Sequence, residues 1–107
     1  MISVELVLNV TKEDIEDVID TAGYGIAYWA KTAVVTEDAY KVLDADEKWF
    51  VLTHEDIKRG IAEHIKYNGY HFLEIDDCKL VLDTAQIDAD DADAIIQYAC
   101  FGTIVYC

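Results

Sequence analysis

The residues with most chemical potential crowd into IDADDADAIIQYACFG (87–102), where Asp88, Asp90, Asp91 and Asp93 fall within six positions. Carboxylates at this density are the raw material of a calcium loop. An EF-hand loop needs oxygen ligands at positions 1, 3 and 5, glycine at 6 and a bidentate glutamate at 12. Counted from Asp88, position 5 is Ala92, position 6 is Asp93 and position 12 is Ala99, so three requirements fail together. A helix start accounts for the aspartates better. Asp88 is placed to cap the first turn, and Asp90 and Asp91 sit within it, near the positive end of the helix dipole. No metal is expected here.

Other chemistry is weaker still. His54, His64 and His71 contain no H-x-x-x-H pair. His64 adjoins Ile65 and follows Ile61 by three residues, which reads as a packed or half-exposed histidine. Three cysteines, Cys78, Cys100 and Cys107, form neither a C-x-x-C nor an even disulfide set. They are expected to be reduced, with Cys100 packing as a small apolar residue. Pairing Cys78 with His71 as nucleophile and base has no local support. GYGIAYW lacks the third glycine of a phosphate-binding turn. Carboxylates are so abundant that any two could be nominated as acid and base, which makes the signal uninformative without a pocket. No catalytic residues and no cofactor are expected. Tyr24, Tyr28 and Trp29 read either as core or as an interface anchor. Trp29 or Trp49 is expected to be mainly buried; exposure of Tyr24 and Tyr28 together would favour a homodimer.

Charge is more decisive. Twenty-two acidic residues against eight basic ones leave −14 over 107 residues, a balance that repels nucleic acid and either favours basic partners or keeps an aromatic-rich protein soluble. The last 28 residues hold five aspartates and no Lys or Arg, so the excess is uneven. At 53% hydrophobic and 11% aromatic, the chain is too apolar to be disordered and suits one domain, 1–107. No apolar run approaches the roughly 18–20 residues of a membrane span. ISVELVLNV alternates, lacks a basic leader and runs into acids, unlike a signal peptide. A cytoplasmic protein is expected.

The elements that must position these residues follow from periodicity. Ile2, Val4, Leu6, Leu8 and Val10 alternate with more polar residues, predicting a strand over 2–10. Thr11 opens a helix with Asp14 three residues on, a variant of the capping box. Ile15, Val18, Ile19, Ala22, Ile26 and Ala30 share one helical stripe, so the helix is expected to continue to about Lys31 despite Gly23 and Gly25. Residues 33–36, 39–43 and KWFVL (48–52) are β-compatible, with LDADEK as a hairpin connection. THEDI repeats the TKEDI opening and starts a second helix, lined by Ile57, Ile61 and Ile65 and closed at Asn68-Gly69. YHFLEI and KLVL suggest strands. Ala92, Ile95, Ile96, Ala99 and Cys100 line a closing helix, with TIVYC as a short final strand. The expected architecture is α+β: about three helices on a small, largely antiparallel sheet, ordered β-α-β-β-α-β-α-β.

On the first helix, Glu13, Glu16, Asp17 and Asp20 form an acidic ladder; residues four apart lie about 6 Å apart along the axis. A DNA strand spaces its phosphates about 3.4 Å apart along the axis, a loose match that two such helices could exploit in a groove built for phosphates. GYGIAYWA (23–30) and DADDADAIIQYACFGTIVY (88–106) resemble small acidic proteins encoded by bacteriophages and prophages, among them anti-CRISPR and anti-restriction inhibitors that imitate DNA. The resemblance covers the first helix and closing segment and supplies no catalytic residues. It implies a phage gene product acting inside a bacterium. Together with the −14 charge and its helical clustering, the leading expectation is a non-enzymatic anti-defence inhibitor, foremost an anti-CRISPR, docking acidic helices into the basic channel of a CRISPR effector or restriction enzyme. One patch would be Glu13, Glu16, Asp17 and Asp20; another would be Asp88, Asp90, Asp91 and Asp93. Alternatives are an acidic antitoxin or immunity protein against a basic nuclease, a phage structural or assembly protein, and a small enzyme using thiol or carboxylate chemistry.

Overall fold

The computed structural model describes residues 8–68, 71–77 and 79–107. Ile2, Val4, Leu6, Gly69 and Cys78 lie outside them, and with them most of the expected first strand. Among the described residues, three α-helices and two three-stranded sheets give the expected α+β class. The sheet is split in two. In one, β1 (Leu8–Asn9) runs parallel to β6 (Lys79–Leu82), which pairs antiparallel with β5 (Leu73–Asp76). In the other, β2 (Ala30–Val35), β3 (Ala39–Asp44) and β4 (Trp49–Thr53) form an antiparallel meander. At the β3–β4 turn, the Asp44 carboxylate accepts the N–H groups of Asp46 and Lys48, both at 2.9 Å, which fixes the hairpin.

All three helices start with the same device. Thr11 before α1 (Lys12–Gly25), Thr53 before α2 (His54–Asn68) and Asp88 before α3 (Ala89–Phe101) each accept the N–H of an aspartate three residues on. Each of those aspartates accepts the cap residue's own N–H in return, so two otherwise unpaired donors are satisfied per helix. At Asp56 the backbone N–H of Thr53 is the main cause of a carboxyl held below its ordinary range.

The stripe Ile15, Val18, Ile19 and Ala22 buries α1 against the core. Contrary to expectation, the helix stops at Gly25 rather than near Lys31. Ile26 closes it by donating to the Ala22 carbonyl, and the chain turns so that Ala30 can begin β2. At Gly25, the last helical residue, a side chain would collide with the Ala89 carbonyl, so α1 and α3 touch backbone to backbone there. Gly60 on α2 makes the same approach to the Ile95 carbonyl. Pinched between both, α3 buries Ala92, Ile95, Ile96 and Ala99 together with the polar Asp91 and Gln97. It ends at Gly102, whose φ of 74° lies in the left-handed region that glycine adopts freely.

Past Gly102 the chain joins neither sheet, so TIVYC is not the expected strand. A side chain takes the place of a partner strand: the Gln97 Oε1 accepts the N–H groups of Val105 and Tyr106, each at 2.8 Å. Tyr106 then stacks on Trp29 with ring centres 5.2 Å apart. Trp29 is buried as expected, whereas Trp49 is 51% exposed on the meander's outer face.

Candidate functional site

On α1 the acids fall opposite the apolar stripe, because Ile15, Val18, Ile19 and Ala22 already occupy the inward positions. Glu13, Glu16, Asp17 and Asp20 are all exposed, and none is ion-paired among the described residues. Asp17 accepts one hydrogen bond, from the Thr84 hydroxyl at 2.9 Å. Glu16 and Asp20 also line a cleft of about 330 Å³ whose other side carries Glu37, so the negative surface extends off the helix. Lys12 and His54 reach the same cleft. The first expected patch is assembled as one surface.

The second expected patch is not. Asp88 and Asp90 are exposed, but Asp91 is only 7% exposed and Asp93 is half-buried. The correction has a physical cause: positions 91 and 93 turn inward, where side chains distant in sequence take up both carboxylates. Asp91 bonds the Nε2 of buried His64 at 2.8 Å and the Nε2 of His71 at 2.9 Å. Burial alone would raise the Asp91 carboxyl, but those two imidazoles and the Asp88 N–H outweigh it and hold the group below its ordinary range. Among the described residues, no group of three or more His, Cys, Asp or Glu side chains is placed to hold a metal ion.

Asp93 is a second hub. It accepts the Trp29 indole N–H at 2.7 Å, the Tyr28 hydroxyl at 2.6 Å and the Gln97 amide at 2.9 Å. All three donors are neutral, so the carboxylate is well solvated by protein yet electrically uncompensated. Burial, with Asp93 adding to it, pushes the Tyr28 hydroxyl up to about 12, so it stays protonated and donating. Tyr28 is 57% exposed and borders a groove along α3, while Tyr24, at 86%, projects from the end of α1. The two do not line one pocket.

Cys100 offers little reactivity. Cys100 is half-buried, and its thiol is pushed up to about 12 by burial, with Asp44 and Asp56 adding. A thiol so shifted is protonated near neutral pH and is a poor nucleophile. Sequence reasoning missed the Asp91–His64–His71 and Asp93–Trp29–Gln97 hubs. Their only advance signal was an aspartate at helical spacing with the buried stripe, Asp91 four residues before Ile95 and Asp93 three before Ile96. Among the described residues, no helix is long and apolar enough to cross a membrane. Comparison with models of known families, with curated proteins and with solved structures gave no match.

Proposed function

We propose that this chain is a non-enzymatic inhibitor of phage anti-defence type, acting in the bacterial cytoplasm on a basic nucleic-acid-binding complex, a CRISPR effector foremost and a restriction enzyme next. The observation that carries it is the α1 face, where Glu13, Glu16, Asp17 and Asp20 stand exposed and unpaired among the described residues. Neighbours on that face are three or four residues apart, and like charges at this spacing weaken a helix by about 0.2–0.5 kcal/mol per pair. The helix dipole favours Glu13 in the first turn, but stability alone does not account for the whole face. A cationic channel built for phosphates does: it gains the attraction of several carboxylates held at fixed spacing on a rigid rod. With Asp91 buried and Asp93 held by Tyr28, Trp29 and Gln97, the inhibitory surface is α1 and the adjoining Glu37, supplemented at the start of α3 by Asp88 and Asp90.

The test is competition. Purified CRISPR effectors and restriction enzymes are challenged with target DNA while the protein is titrated in. Loss of DNA binding that itself fades between low and high salt is expected. The double reversal Asp17→Lys/Asp20→Lys should abolish inhibition while circular dichroism and melting stay those of a folded domain. Undiminished inhibition by that variant would sink the assignment of the surface.

A further inference from the structure

A groove of about 640 Å³ runs along α3, walled by Tyr67 and Tyr98 on one side and by Tyr28 and Tyr106 on the other. Tyr67 stacks on Tyr98 at 6.0 Å and is 68% exposed, so one ring face stays open. Asp90 and Asp93 line the same groove, and among the described residues its lining contains no Lys or Arg. Asp90 has no ion pair among the described residues, and Asp93 is held only by neutral donors. The groove thus has two carboxylates, several aromatic faces and no cation of its own. Ala94, one turn beyond Asp90, keeps the floor low.

We propose that this groove binds a guanidinium group, an arginine side chain presented by the basic partner protein. Guanidinium fits these walls better than ammonium. It is flat enough to stack on a tyrosine ring, it donates two parallel hydrogen bonds to one carboxylate, and it gives up its hydration more readily than a lysine head. Asp90 supplies the carboxylate free to take the paired donors, and Asp93, fixed by Trp29 and Gln97, supplies a second negative charge that does not need to move. The proposal deepens the inhibitor reading and rests on it for the identity of the partner, though the groove's chemistry is testable without one.

The experiment titrates the whole protein, isotopically labelled for NMR, with a capped Gly-Arg-Gly tripeptide and its Gly-Lys-Gly counterpart. Saturable shifts are expected at Tyr28, Tyr67, Tyr98 and Asp90 with the arginine peptide, and weaker binding of the lysine peptide. Tyr67→Leu and Asp90→Asn, both at exposed positions, should each weaken binding about five- to tenfold. Asp17→Asn on α1 should leave it within twofold. Three outcomes overturn the proposal: shifts spread over α1 rather than the groove, equal weakening by Asp17→Asn, or equal affinity for the two peptides. A protein that binds the arginine peptide in the groove yet inhibits no nuclease sinks the functional reading alone; one that inhibits but ignores the peptide sinks the groove alone.

Discussion

Gln97 takes part in five hydrogen bonds from a position 1% exposed; one is to Asp93 on the same helix, and the others tie α3 to Tyr28 and the tail. Leucine has nearly its volume and none of its polarity. Gln97→Leu leaves the Val105 and Tyr106 N–H groups without their acceptor and removes a donor from Asp93. At about 1–3 kcal/mol for each buried group left unpaired, partly relieved by water, a loss of about 2–4 kcal/mol is expected in urea unfolding. A loss below about 0.5 kcal/mol would mean the tail is not held by this side chain. Asp91 makes a prediction in pH. Its carboxyl is held below the ordinary range in the folded state, so its contribution is complete above the unfolded value of about 3.9 and is lost as pH falls through the folded one. Asp91→Asn should cost about 1.5–3 kcal/mol at pH 7, as expected for hydrogen bonds to a charged group. The gap between variant and wild type should then narrow as pH falls below about 4, through the unfolded value toward the folded one. A gap that holds constant over that interval would show that the fit of the side chain matters and its charge does not.

Among the elements, α1 carries two glycines two residues apart with opposite expected behaviour. Around Gly23 an added methyl meets nothing within 4 Å, so Gly23→Ala should gain up to about 1 kcal/mol from helix propensity alone. At Gly25 the same methyl runs into the Ala89 carbonyl, so Gly25→Ala must separate α1 from α3 and should cost about 1–3 kcal/mol despite that propensity. Thermal melts of the two variants decide it, and equal stabilisation would show that the helices do not meet there. What could be read from the sequence at this scale was whatever is local. The caps pair residues three apart, Thr11 with Asp14, Thr53 with Asp56 and Asp88 with Asp91, and the apolar stripes repeat within a few turns. The acidic face of α1 was legible for the same reason, since it is what the stripe leaves over. Contacts that close over long stretches of chain were not legible. Asp93 meets Trp29 from 64 positions away and Asp91 meets His64 from 27, and those distant partners turned two expected surface acids inward. TIVYC has the β-branched composition of a strand, but Gln97 took its donors first.

For the molecule as a whole, a net charge of −14 acts on stability and on binding in opposite directions, and salt separates the two. Four of the six ion pairs among the described residues join Lys or Arg to Asp or Glu; each is largely exposed on at least one side, so each contributes little. Repulsion among the remaining acids is then the dominant long-range term, and it opposes the compact state. Lowering the screening length from about 14 Å at 50 mM salt to about 4 Å at 500 mM should relieve it. A gain on the order of 1 kcal/mol corresponds to a rise of about 4–8 °C in the melting temperature of a domain this size. Binding to a cationic channel must move the other way, because the same ions screen the attraction that brings the partners together. One buffer series therefore tests both, with melting read by circular dichroism and inhibition read by DNA binding. A melting temperature that falls with salt would mean that local ion pairs outweigh the net charge. Inhibition that survives 500 mM salt undiminished would mean that the partner reads shape rather than charge, and the acids of α1 would then serve solubility alone.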